Sequence, residues 1–142
     1  MAISKPTSAY IGASWLALGI GVLGFLIGLW NASMQLNEKG YYFATLCLGL
    51  YSAISLQKSV RDRIEGISVS NLYYGISWLA LGISIMLISI GLWNAELVLS
   101  EKGFYGMAFA LSLYAVISIQ KNVRDLAQYR EKYGEDDIVE EN

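Results

Sequence analysis

The residues best equipped for chemistry in this chain come as two matched sets: Asn31, Glu38 and Lys39, and, 63 positions later, Asn94, Glu101 and Lys102. An amide, a carboxylate and an ammonium held close together could bind an ion or dock a partner. A second group is made of hydroxyls, on Ser14, Ser52, Ser55, Tyr51, Ser77, Ser118 and Tyr114, which could line a polar path for a small solute. None has a neighbouring base that would turn it into a nucleophile. Histidine, the commonest metal ligand and proton shuttle, is absent from the chain. The single cysteine, Cys47, falls inside an apolar run with Ala110 as its counterpart, and reads as a small packing residue. There is no HExxH, no GxxxxGK[ST] and no GxSxG. The sequence therefore predicts no enzyme, no catalytic residues, no cofactor and no metal.

What must position these side chains is set by where charge is missing. Of the 142 residues 55% are hydrophobic and only 15% charged, outside the usual balance of a water-soluble domain. No charge lies between Lys5 and Glu38, between Lys39 and Lys58, between Glu65 and Glu96, or between Lys102 and Lys121. A helix of about 20 apolar residues crosses a hydrocarbon layer about 30 Å thick. The gaps predict four membrane crossings, near 9–31, 41–58, 72–94 and 104–121. The second and fourth are at the short end of the range, with Lys58 and Lys121 snorkelling to the head groups.

The chain is also duplicated. A shift of 63 aligns residues 10–62 with 73–125 without a gap, and 30 of the 53 positions are identical. SWLALGI, GLWNA, EKG and QKxVRD recur in order. Each repeat holds two crossings, so both enter the membrane from the same side. The two hairpins are parallel copies about a pseudo-two-fold axis along the membrane normal. The expected segments are an N-terminus at 1–8, a first two-helix repeat at 9–63, a linker at 64–71, a second repeat at 72–126 and an acidic tail at 127–142. Lys5, Lys58, Arg61, Arg63, Lys121, Arg124, Arg130 and Lys132 fall on one side of this topology, and only Lys39 and Lys102 on the other. The positive-inside rule then places both termini in the cytoplasm.

Lipid tails are as apolar as leucine, so membrane helices associate through close packing and hydrogen bonds, which small side chains permit. One face of the first crossing carries Ser14, Ala17, Gly21, Gly24 and Gly28; the third carries Ser77, Ala80, Ser84 and Gly91, with Leu87 interrupting the series. These predict the packing faces, each hairpin closing small stripe on small stripe. In the turns, Trp30, Trp93 and the ring pairs Tyr41–Tyr42 and Phe104–Tyr105 mark the membrane–water boundary. Asn37 and Ser100 are expected to cap the returning helices, with Glu38 and Glu101 in the first turn, and Gly40 and Gly103 to permit close backbone approach. Gly134 is expected to end the last helix, leaving EDDIVEEN as a tail.

The SWLALG, GLWNA, EKG and QKxVRD strings resemble the YiaA/YiaB family of two-helix inner-membrane proteins over about residues 8–126. That resemblance implies a bacterial inner-membrane protein of tandem two-helix domains and no established activity. The combined reading is an all-α, polytopic membrane protein: four transmembrane helices as two tandem parallel hairpins. Its partners are the lipid bilayer and either further copies of itself or another membrane protein. The formal net charge of −2 implies no nucleic-acid partner. The function expected is a structural or interaction module, with an oligomeric small pore or passive transporter as the alternative.

Overall fold

The computed structural model describes the backbone of residues 5–140 and the side chains of residues 5–134. Residues 1–4, residues 141–142 and the acidic side chains of the expected tail lie outside that description. Four helices follow one another: α1 Ser8–Asn31, α2 Leu36–Ile64, α3 Asn71–Asn94 and α4 Leu99–Glu140. Helices α1 and α3 have 24 residues each, about 36 Å at 1.5 Å per residue, enough to cross a bilayer core.

Local chemistry explains most of the boundaries. Thr7 and Ser70 are the N-caps of α1 and α3, their hydroxyls accepting from the backbone N–H of Tyr10 at 3.2 Å and Tyr73 at 3.1 Å. Helix α2 closes at Gly66, whose φ of 79° suits a residue without Cβ. The Gly66 and Ile67 N–H groups there donate to the Arg63 and Asp62 carbonyls at 3.2 and 2.8 Å, satisfying the end of the helix. Helices α2 and α4 begin a little earlier than expected, at Leu36 and Leu99, so Asn37 and Ser100 lie in the first turn and are not caps. The N-cap of α2 is Gln35, which makes no side-chain capping bond. Gly40 and Gly103 face open space and not another backbone. Gly134 does not stop α4, which runs on to Glu140; among the described glycines only Gly66 takes the positive φ that a glycine stop uses.

The hairpins do not close on themselves. Helix α1 packs along α4 and α3 along α2, with α2 beside α4 in the middle, whereas α1 and α2, like α3 and α4, touch only sparsely. Tyr10 meets Ser118 and Ser14 meets Asn122 at one end of the α1–α4 pair, and Gly28 abuts Phe104 and Tyr105 at the other, so these helices are antiparallel. Helices α2 and α4 are parallel: Tyr42 stacks on its repeat counterpart Tyr105, with ring centroids 6.3 Å apart and planes 19° from coplanar, and Arg61 reaches Asp125 at the far end. The pseudo-two-fold runs between these two rings. Phe25, Leu29, Leu46, Ile88, Phe109 and Val116 fill the core around them.

Polarity is distributed inside out. Ser14, Ser77, Ser84 and Ser112 are buried, while Leu16, Ile20, Leu23 and Ile27 on α1 and Ile76, Leu79 and Met86 on α3 are exposed. Such an apolar mantle is far larger than the patches a soluble monomer leaves uncovered, and it matches lipid. The protein is membrane-associated. Three helical stretches are long and apolar enough to cross: Ser8–Asn31, Asn71–Asn94 and Leu99–Gly134. Helix α2 is not among them, whereas the charge-free gaps predict four such crossings. Its Thr45, Ser52, Ser55 and Ser59 lower its hydropathy, and all four are buried in the bundle.

Candidate functional site

Three groups of side chains can do something specific: the small-residue seams, an ionic cluster where the chain enters and leaves the bundle, and two clefts at the opposite, loop end.

The small stripe of α1 lies against α4. A methyl group on Gly21 would come within 2.5 Å of Ser112 Oγ and 3.2 Å of the Ala108 carbonyl oxygen, and one on Gly28 within 2.8 Å of the Phe104 ring. Gly24 has Phe104 at an ordinary 3.6 Å, and Ser14 is buried with Ala17 half-covered beside it. On α3, Ser77 and Ser84 are buried, Ala80 is half-covered, and Gly91 is pressed by Tyr41 and Tyr42, at 2.7 and 3.1 Å from where its Cβ would be. The stripes therefore meet the other repeat and not their own hairpin partner, which corrects the self-closing hairpin. Small residues tell which face packs but not against which helix. Gly21 and Ser112 correspond by the repeat to Ser84 and Gly49, so each seam carries one glycine and one serine in reversed order.

At the ionic end the two QKxVRD strings exchange partners. Arg61 pairs with Asp125, and Arg124 with Asp62. Within each helix Lys58 pairs with Asp62 and Lys121 with Asp125, both at 2.8 Å. Glu65 takes Arg61 at 2.7 Å and Arg124 at 2.6 Å. Its repeat counterpart is Gln128, which accepts from Arg61 at 3.4 Å, so the cluster is built unsymmetrically. Both arginines and their carboxylate partners are under 20% exposed, whereas the lysines are about half exposed. The Lys58 ammonium, with help from Arg124, holds the Asp62 carboxyl below the usual carboxylate range against the opposing effect of burial. For Glu65 burial pushes upward, and the hydrogen bonds from Arg124 and Arg61 together outweigh it, leaving this carboxyl lowered too. The sequence shows the Lys–Asp spacing of four, but the Arg–Asp exchange follows only once parallel copies are set side by side. A doubled Arg-Asp dipeptide across a two-fold is the signal that would have found it. Arg63 stands apart, lying 3.8 Å from the centroid of the Tyr74 ring and donating to Asn71 Oδ1 at 3.1 Å across the linker.

At the loop end the matched polar sets are divided between two clefts. One, enclosing about 680 Å³, is lined by Glu38, Tyr41, Tyr42, Gly91, Asn94 and Glu96 among others; the second, about 560 Å³, by Gly28, Asn31, Glu96, Glu101, Phe104 and Tyr105. Each cleft thus joins the Asn of one repeat to the Glu of the other. Lys39 and Lys102 line neither cleft: their Nζ atoms donate to the Trp30 and Trp93 carbonyls at 3.0 and 3.4 Å, fastening each turn. Asn31 and Asn94 spend their Nδ2 groups on the Ile27 and Ile90 carbonyls, both at 2.9 Å, leaving Oδ1 as the available atom.

The hydroxyls suited by type to a polar path are placed otherwise. Ser14, Ser52 and Ser77 donate to carbonyls of their own helices, Ser118 Oγ accepts from the Tyr10 hydroxyl on α1 at 3.5 Å, and Ser55 and Ser118 are buried in the bundle. Tyr51 and Tyr114 are exposed on the outer surface, and so is Cys47, which is not a core residue. Among the described residues no group of three or more His, Cys, Asp or Glu side chains could hold a metal ion.

Comparison with known proteins agrees with this doubled architecture. The family described as "yiaA/B two helix domain" matches residues 10–62 and again residues 73–125. "Inner membrane protein YiaA" of Escherichia coli (strain K12) is 56% identical over 123 residues, covering 87% of this chain and 85% of that protein. "Uncharacterized membrane protein YubF" of Bacillus subtilis (strain 168) is 43% identical over 62 residues, covering 43% of this chain and 71% of the relative. No solved structure matches. Matched twice, once for each helix pair, the chain belongs to the YiaA/YiaB family of two-helix-domain membrane proteins.

Proposed function

We propose that the protein is a four-crossing component of the bacterial inner membrane, with both termini cytoplasmic. In this reading it acts as a structural or interaction module, associating with further copies of itself or supporting another membrane complex. The observation that carries it is the combination of a closed interior and an apolar exterior: seams too tight for a methyl group, inside a mantle of exposed Leu and Ile. Helix α2 crosses as the fourth member because it runs beside the apolar α4 over the same depth, from the Tyr42–Tyr105 stack to the Arg61–Asp125 pair. Its polar atoms are spent inside the bundle, as helices in lipid require. An even number of crossings puts both ends on the basic side, and the name of the Escherichia coli relative supports the inner membrane.

The pore alternative gains no support from Ser14, Ser52 and Ser77, which donate within their own helices, or from Tyr51 and Tyr114, which face outward. Liposomes carrying the purified protein at high loading test the choice. The structural reading expects a seal against ions and small solutes and a stoichiometric companion or defined oligomer on mild extraction; solute flux proportional to protein would refute it.

A further inference from the structure

We propose that the two loop-end clefts are binding sites for an organic ammonium group, one per cleft. The first support is charge. Each cleft presents two carboxylates, Glu38 with Glu96 or Glu101 with Glu96, and neither is lined by Lys or Arg. Glu96 serves both, since its repeat counterpart is Ser33. The second support is aromatic. Tyr41 and Tyr42 line the first cleft and Phe104 and Tyr105 the second, and ring faces attract ammonium ions.

The third observation is independent of charge and points to a ligand. Tyr42 and Tyr105 are 5% and 4% exposed, and neither hydroxyl has a hydrogen-bond partner among the described residues, each oxygen being open to the cleft beside it. The two hydroxyls end beside Gly91 and Gly28, which line the respective clefts. They are not sealed in: Asn122 Oδ1 is the one fully enclosed side-chain oxygen without a partner among the described residues. The phenols therefore offer a hydrogen bond to whatever occupies the cleft. Volumes of about 680 and 560 Å³ far exceed a bare ion and suit a head group or a small amine. The clefts lie at the depth of Trp30 and Trp93, where lipid head groups also lie. The ammonium could come from an aminophospholipid or from a soluble amine. The site stands on the cleft residues and not on which side of the membrane the loops face.

The test uses the full chain in nanodiscs. Discs of phosphatidylglycerol alone, with ethanolamine or putrescine added in solution, probe the soluble source; discs doped with phosphatidylethanolamine probe the lipid source, with native mass spectrometry counting bound molecules. Two ammonium-bearing ligands per chain from either source are expected. Glu38→Gln with Glu101→Gln removes one carboxylate from each cleft and weakens binding about five-fold, the scale of an exposed ion pair. Tyr42→Phe with Tyr105→Phe deletes only the hydroxyls, keeps the ring packing, and also weakens it, so the result does not depend on one variant folding. Phosphatidylglycerol binding as tightly as phosphatidylethanolamine with no response to either amine, or ammonium binding that both double variants leave unchanged, would overturn the assignment.

Discussion

The seam between α1 and α4 makes a prediction that can be worked through from Gly21. An alanine Cβ at this position would lie 2.5 Å from Ser112 Oγ, 3.0 Å from Ser112 N and 3.2 Å from the Ala108 carbonyl oxygen. Rotating the serine hydroxyl relieves only the first contact, and it breaks that hydroxyl's 2.7 Å hydrogen bond to the Ala108 carbonyl. The other two contacts are with backbone, so α1 must move away from α4. Overpacking of this kind costs about 1–3 kcal/mol, offset by about 1 kcal/mol from replacing a helical glycine by alanine. Gly19, two residues away on the same helix, has nothing within 4 Å of the place a methyl group would take. Gly19→Ala therefore gains the helix benefit without the clash, and Gly21→Ala should be less stable than Gly19→Ala by the full overpacking cost, about 1–3 kcal/mol. Equilibrium unfolding in mixed micelles, followed by far-ultraviolet circular dichroism, measures that difference. Gly21→Ser combined with Ser112→Gly copies the order found in Ser84 and Gly49, and should recover most of the stability lost in Gly21→Ser alone. Equal stability of the two alanine variants, or no recovery in the double exchange, would refute packing of α1 on α4 through this contact.

Truncating Arg124 to Ala leaves Asp62 and Glu65 each short of a partner and should cost about 2 kcal/mol, less than a fully buried pair because the cluster edge is wet. Exchanging charge as Arg61→Asp with Asp125→Arg should restore more stability than either single change leaves, read as a double-mutant cycle. Because Asp62 and Glu65 have lowered pKa values in the folded state, their contribution is complete above the ordinary carboxylate range and is lost as the pH falls through and below it. Unfolding midpoints measured from neutral pH downward should drop there, and Asp62→Asn should flatten the response. Cysteines at Ser14 and Asn122, whose side chains are 3.3 Å apart, should form a bond within one chain in a Cys47→Ala background; non-reducing electrophoresis showing only cross-linked dimers would count against the exchanged packing.

Much of this architecture is legible in the sequence. The charge-free gaps announce the long helices because a run such as ISWLALGISIMLISIGLW has no polar face to present to water. The duplication, the family and the Lys–Asp spacing are equally plain. The packing partners are not. Gly21 and Gly28 announce a close approach, but a glycine carries no mark of which helix approaches it, and the nearest helix in sequence is the natural assumption. Helix α2 reads as equally apolar because its polar residues are uncharged, although Thr45, Ser52, Ser55 and Ser59 are what a central helix among three neighbours can accommodate. At the loop end Asn31, Glu38, Asn94 and Glu101 stand out as a set, but their sorting into two clefts depends on the exchange of helices between repeats.

That exchange has a consequence for how the polypeptide is made. The glycine and serine face of α1 finds its mate only when α4 has been synthesised, about 90 residues later, an interval of roughly 5 to 20 s at ribosomal speeds. Until then the leading half waits in the lipid with its seam uncovered, open to chaperones, proteases and the seams of neighbouring nascent chains. Joining two helix pairs into one polypeptide ensures that the missing mate always arrives on the same chain.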